Sequence, residues 1–388
     1  MTHANASAPI AASLHPTRRI HLIAAARPNF MKVAPVYHAL RRRPDAYWPV
    51  LVHTGQHYDR NMSDAFFGDL GLPPPDHLLG VGSGTHAEQT AAVMVAYERL
   101  CLAERPAMTI VVGDVNSTLA AALVAAKLQI PCAHLEAGLR SRDRRMPEEI
   151  NRLATDAIAD LLWTPSPDAD ANLLSEGVPP HRIDCVGNAM IDAYEMMRPR
   201  IAADAGAARL GLNPGAYAVV TLHRPANVDD PRMLAALVQA LRRVAARLDL
   251  VFPVHPRTRA RLDAFSLGQE LASAPRIHAI DPLGYVAFMA LVESARCVIT
   301  DSGGVQEETT YLGVPCLTLR DSTERPVTIT EGSNRLVSLD TLDGAIDEVM
   351  SGRWPAGRRP RNWDGHAADR VVASLDSWFA RTAPAGTD

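Results

Sequence analysis

At 388 residues the chain is too long for one ordinary hydrophobic core and suits two domains of common size. Hydrophobic residues make up 47% and charged residues 21%, and the formal net charge is −4, so no global field favours nucleic acid and any anion binding has to be local. No apolar run approaches a membrane span, and the five cysteines, odd in number and far apart, read as reduced core thiols of a cytoplasmic protein.

The opening "MTHANASAPIAASLHPTRR" has its apolar patch before its arginines, the reverse of a secretory signal, so residues 1–18 are expected to be a frayed tail. Apolar runs then alternate with helix-period segments. The strands expected in the first half are "RIHLIAA", "WPVLVHTG", "MTIVVGD", "PCAHLEA" and "LLWTPS". Those in the second half are "AYAVVTLH", "DLVFPVHP", "RIHAID", "RCVITDS" and "PCLTLRD". Between them lie helical patterns such as "NSTLAAALVAAKL", "PRMLAALVQALRRVAARL" and "VQEETTYLG". This alternation predicts an α/β chain with parallel sheets and helices on both faces. A break near "RIDCVGNAMIDA" predicts two Rossmann-like domains, 19–187 and 188–362. The last helical pattern, "ADRVVASLDSWFAR", lies in 363–388 and is expected to pack back on the first domain. "AAARPNF" stands after the first strand where a G-x-G-x-x-G fingerprint would be, which disfavours a nicotinamide cofactor.

Ligands of open parallel sheets bind beyond the carboxyl ends of the strands, and here those ends carry polar residues. They are Arg27, then Gly55, Gln56 and His57, then Asp114 and Glu136; in the second half they are His223 and Arg224, His255, Asp281, and Asp301 to Gly304. Their convergence predicts a polar cleft between the domains. "HLEAGLRSRDRRMPEEINR" reads as a strand end, a loop and a helix opening on Pro147, Glu148 and Glu149, where the helix dipole alone favours acids. "ITDSGGVQEETTYLG" is the clearest anion site: two glycines let the backbone approach closely and a helix starts near Val305. Ser302 donates or caps there, and Glu307 or Glu308 is placed to accept from a ribose diol; an ordinary helix start with early acids accounts for the segment equally well. Arg27, Lys32, His223 and Arg224 are candidate counter-charges. His53 and His57 stand four apart, but Gly55 at a strand end argues against a zinc helix, and no metal is expected.

With Arg27 and Pro28, Lys32, "TGQH", "GDVNST", "HLEAGLRS", "PEEINR", "DSGGVQEE" and "RDSTERP" in order, the chain resembles the non-hydrolysing UDP-N-acetylglucosamine 2-epimerases from Arg19 to about Asp340. The resemblance implies the two-domain GT-B fold, a UDP-sugar as small-molecule partner with UDP mainly on the C-terminal domain, a homodimer, and no cofactor. It implies that Asp114, Glu136, Glu148 and His223 are catalytic. Arg27, Lys32, Gln56, Arg140, Arg224, His255 and Arg325 would contact substrate, Ser302, Gly303 and Gly304 the phosphates, and Glu308 the ribose. Arg140 and its neighbours would position the anionic substrate and keep the carboxylates ionised. The reaction implied is elimination of UDP to a 2-acetamidoglucal and re-addition on the other face of C2. The chain departs from the pattern of substrate-activated members at Asp59, at Gly82 and Ser83, and at Pro225, so activation by substrate is expected to be weak or absent. "RPNFMK" and "MPEEINR" also resemble members acting on other 2-acetamido sugars. A GT-B glycosyltransferase and a non-catalytic nucleotide-sugar sensor are the rival readings.

Overall fold

The computed structural model describes residues 17–55 and 67–382, apart from the side chain of Arg27. The first half builds a parallel sheet from β1 (Arg18–Ala24), β2 (Tyr47–His53), β3 (His77–Leu78), β4 (Met108–Val112), β5 (Cys132–Leu135), β6 (Leu161–Thr164) and β7 (Ile183–Cys185). The second builds another from β8 (Tyr217–Thr221), β9 (Asp249–Pro253), β10 (Ile277–Ile280), β11 (Cys297–Thr300), β12 (Cys316–Thr318) and β13 (Asn334–Leu336). The central strands are apolar at nearly every position because helices cover both faces, as parallel sheets require.

Three apolar layers follow. One face of the first sheet packs on the helices His86–Glu104 and Asn116–Lys127 through Tyr97, Ala121 and Val124. The far face of the second sheet packs on the helix Pro231–Ala245. That helix is capped by Asp230, which accepts from the amides of Arg232 and Met233, and it buries Leu234, Leu237, Leu241 and Val244 at helical spacing. Between them, one continuous cluster joins Leu22, Met108 and Trp163 of the first sheet to Tyr217, Val219 and Val298 of the second. Its middle is filled by Val33, Val36 and Leu40 of the helix Arg27–Arg41 and by Ile191, Tyr194 and Met197 of the helix Ala189–Ala203.

The C-terminal helix Ala367–Thr382 lies against the helix Arg27–Arg41 on the first half. Ser374 accepts from the Trp163 indole at 2.8 Å, Asp376 accepts from the Tyr47 hydroxyl at 2.6 Å, and Asp192 caps the helix start through the amides of Ala367 and Ala368. Among the described residues no helix is long and apolar enough to cross a membrane.

Strand order places the site. The first sheet runs β3-β2-β1-β4-β5-β6-β7 and the second β10-β9-β8-β11-β12-β13, so the order reverses between β1 and β4 and again between β8 and β11. Crevices at such switch points are where open α/β sheets bind ligands. Here the two crevices meet, because Arg325 of the second half donates to Glu136 of the first at 2.7 Å.

Candidate active site

On the first half, the chain leaves β4 through Gly113, whose φ of +68° suits glycine, and reaches Asp114. Asp114 accepts from the Arg152 guanidinium at 2.6 Å. Arg152 is itself buried and also pairs with Glu149 at 2.7 Å. Glu149 further accepts from the amides of Ser141 and Arg142 and from the Ser141 hydroxyl, so it ties the loop after β5 to the helix Pro147–Ile158. Its neighbour Glu148 is exposed on the first turn of that helix.

Glu136 follows β5 with φ at +75°, a conformation that costs a non-glycine residue about 1–3 kcal/mol. Its carboxylate takes a bond from the Lys32 ammonium on one oxygen and from Arg325 on the other. Burial pushes this carboxyl up, but Lys32 and then Arg325 outweigh it, and the net direction is below the usual carboxylate range.

On the second half, Asp301 is fully buried and works as an organiser. It accepts from the amides of His223 and Arg224 at 3.0 and 2.9 Å and from the Asn227 side chain at 3.0 Å, and stands 3.1 Å from the His223 ring. The His223 ring lies 5.0 Å from that of His255, which caps the helix Pro256–Ala264. Ser302 precedes the helix Gly303–Leu312, and the two glycines have different jobs. A Cβ on Gly303 would stand 2.7 Å from Arg325 and 2.8 Å from Glu324, whereas one on Gly304 would meet nothing within 4 Å. Space is open beside Gly304, whereas Gly303 makes room for Arg325 and Glu324.

Those side chains form a dense charged cluster. Glu324 pairs with Arg325, accepts from Arg320 at 2.8 Å and stands 4.0 Å from Arg224. Arg325 also stands 2.7 Å from Glu307. Buried polar atoms here lack partners: Nη1 of Arg320, Oε2 of Glu307 and Oε1 of Glu308. Each such atom costs about 1–3 kcal/mol. Burial pushes Glu308 up to about 8, opposed by the Tyr285 hydroxyl and reinforced by Glu307.

Ion pairs thus join Lys32, Glu136 and Arg325 across the cleft, Arg152 holds Asp114, and Glu324 stands between Arg325 and Arg224; His223, His255, Ser302, Gly303 and Gly304 follow strand ends of the second sheet, and Glu308 lies in the helix that begins at Gly303. Gln56 and the Arg27 side chain lie outside the described residues. Arg140 requires a correction. Its side chain is 1% exposed, bonds Glu176 at 2.9 and 2.6 Å and the Leu139 carbonyl at 2.8 Å, and stands 2.7 Å from Asp156, so four of its five N–H donors are engaged inside the protein. Following Leu139 into the interior, it braces the scaffold, and the ionisation of Glu136 falls to Lys32 and Arg325. From the sequence Asp301 is legible only as a strand end and Glu149 only as an acid at a helix start, while Arg152, Arg320 and Glu324 carry no assigned role. Two of them had a signal in the i,i+3 spacing of Glu149 with Arg152, and two in the i,i+4 spacing of Arg320 with Glu324.

Two Rossmann-like halves with a charged cleft between their switch points define an α/β protein of the GT-B type. The family described as UDP-N-acetylglucosamine 2-epimerase matches residues 38–376. A UDP-N-acetylglucosamine 2-epimerase of Methanocaldococcus jannaschii is 40% identical over 370 residues, covering 92% of this chain and 98% of its own length. A UDP-2,3-diacetamido-2,3-dideoxy-D-glucuronate 2-epimerase of Pseudomonas aeruginosa is 41% identical over 322 residues, covering 82% and 88%. The crystal structure of the Methanocaldococcus jannaschii enzyme in complex with UDP-GlcNAc and UDP is similar at a TM-score of 0.84 and 39% identity, covering 92% of this chain and 99% of that one. The chain belongs to the UDP-N-acetylglucosamine 2-epimerase family.

The glycine geometry predicts that Gly303→Ala destabilises the protein by about 1–3 kcal/mol, the usual cost of overpacking, and that Gly304→Ala leaves the urea midpoint unchanged. Glu308 makes a pH prediction. Its folded value near 8 lies above the ordinary 4.5, so the folded state holds an extra proton between them and the contribution of Glu308 to stability is lost as pH rises through 8. Glu308→Gln should therefore raise the thermal midpoint of the ligand-free protein at about pH 9 and leave it close to the parent at about pH 5.

Proposed function

We propose that this chain catalyses reversible epimerisation at C2 of UDP-N-acetylglucosamine to UDP-N-acetylmannosamine, without net hydrolysis. The observation that carries this reading is Glu136, held as a carboxylate by one cation from each half of the molecule, Lys32 and Arg325, with Arg325 lying over Gly303.

The C2 proton of such a sugar has no adjacent carbonyl and is weakly acidic, so it is best removed as the C1–O bond to UDP breaks. The bond electrons leave with the β-phosphate, the C2–H electrons form the C1=C2 double bond, and the proton goes to a carboxylate. The products are UDP and 2-acetamidoglucal. Re-addition of UDP at C1 with proton delivery to the opposite face of C2 completes the exchange. Acid–base groups are needed on both faces, and on this reading Asp114, Glu136, Glu148 and His223 supply them. Cations are needed where charge develops on the leaving diphosphate. Arg27, Lys32, Arg224 and Arg325 are assigned to that task, with the open backbone at Gly304. Glu308 takes the ribose hydroxyls, Gln56 and His255 are assigned to further substrate contacts, and no metal or redox cofactor enters the reaction.

On this reading residues 19–187 carry the sugar side and 188–362 the UDP side, and the protein works in the cytoplasm as a homodimer. Five unpaired thiols suit a reducing compartment, and exposed Val95 and Leu102 on one helix offer an apolar face to a second copy. The 41% identity to the diacetamidoglucuronate 2-epimerase favours, as a second reading, a modified 2-acetamido sugar in place of N-acetylglucosamine.

Proton NMR of the purified protein with UDP-N-acetylglucosamine in deuterated buffer is expected to show UDP-N-acetylmannosamine with solvent deuterium at C2. Release of free sugar and UDP would indicate hydrolysis instead. Binding with no exchange at C2 would contradict epimerisation of this substrate, and exchange with a 2,3-diacetamido analogue alone would establish the second reading.

A further inference from the structure

A buried charge cluster behind the acids has no part in the reaction as written. His134, on β5 two residues before Glu136, is fully buried, and both of its ring nitrogens face acceptors. Nδ1 stands 2.6 Å from a carboxylate oxygen of Asp156, and Nε2 stands 2.8 Å from the carbonyl oxygen of Gly113. Asp156, on the helix that begins beside Glu148, also accepts from the Gly138 amide at 3.0 Å and lies 2.7 Å from Arg140. Burial pushes the Asp156 carboxyl up, but His134 and Arg140 hold it below its ordinary value. Both ring nitrogens are thus engaged by oxygens, one from the helix Pro147–Ile158 and one from the turn after β4.

The bond to Gly113 matters because of where it falls. From the last residue of β4 onward, three successive carbonyls are held by side chains. Asn29 and Thr118 donate to Val112 at 3.1 and 2.8 Å, His134 to Gly113, and Asn151 to Asp114 at 2.9 Å. A Cβ on Gly113 would lie 3.5 Å from Glu136 and 3.7 Å from Lys32, so a small shift of this turn moves Asp114 and presses on Glu136.

We infer that His134, braced by Asp156 and Arg140, is a positioning residue for the epimerisation: one buried ring sets the separation of Asp114 from Glu136 and ties both to the helix that carries Glu148. The inference rests on the function proposed above. It also gives the arginine that follows β5 a task, since Arg140 holds the carboxylate that holds the ring.

The two ring nitrogens can be tested apart. The amide nitrogen of Gln approximates Nε2 and can keep the Gly113 bond; that of Asn approximates Nδ1 and can keep only Asp156. A displacement of about 1 Å at a reacting group can cost 100-fold in rate. His134→Asn is therefore expected to lower kcat by about 100-fold and His134→Gln by no more than about tenfold. KM and the affinity for UDP should stay within about twofold in both, because the phosphate turn is on the other half. Each variant leaves one buried partner unsatisfied, so a purely structural role predicts equal losses that follow the folded fraction. Equal kcat values in the two folded variants, or the Asn variant being faster, would overturn the inference. Should neither variant fold, Asp156→Asn decides: a fall in kcat with UDP affinity retained supports the positioning role, and an unchanged kcat overturns it. A parent protein that shows no exchange at C2 would instead defeat the functional reading on which the inference stands.

Discussion

The site depends on keeping Glu136 charged while it is nearly out of water. Moving a carboxylate from solvent into a protein interior carries a penalty of several kcal/mol, which only close and well-directed counter-charges offset. Lys32 comes from the helix after β1 and Arg325 from the loop after β12, on opposite sides of the cleft. The carboxylate therefore has its full set of partners only when the two halves meet. On the proposed reading, a base held by cations and largely out of water suits a reaction that must retain a neutral glycal between two half-steps.

The same cluster is a poor source of stability. Buried ion pairs seldom exceed the cost of desolvating them, and here several atoms are left without any partner, among them Oε2 of Glu307, Oε1 of Glu308 and Nη1 of Arg320. Folding strength comes from elsewhere. The apolar layer that runs from Leu22 through Ile191 to Tyr217 crosses both halves and keeps the rear of the cleft closed. The interior polar bonds of Asp301, Glu149 and His134 hold the turn at His223 and Arg224, the loop after β5 and the turn after β4. Packing fixes the halves, and the charged front of the cleft is then free to be configured for an anion.

Much of this was legible in the chain itself. Ten strands announce themselves as apolar runs, and the polar residues at their ends point to the cleft. β3, β7 and β13 escaped because two or three residues at a sheet edge carry no period to detect. β7 lies within the stretch that reads as a junction. The arginines show the deeper limit. Arg140 and Arg152 stand in the same charged segment, yet one braces the interior while the other grips Asp114 at 2.6 Å. Which way a guanidinium turns is decided by Glu176 and Asp156, residues well removed in sequence, so no local pattern reveals it. Gly303 and Gly304 differ for the same reason: only one of them lies under Arg325 and Glu324.

The central claim is spatial, and a crystal structure of the protein with UDP and the intact sugar nucleotide tests it most directly. The account predicts the diphosphate against the open backbone at Gly304, and C2 of the hexose within about 3.5 Å of a carboxylate oxygen of Asp114, Glu136 or Glu148. It also predicts that Glu136 still bonds to Lys32. A hexose whose C2 lies beyond the reach of all these acids, or a diphosphate seated away from the Gly304 turn, would contradict it.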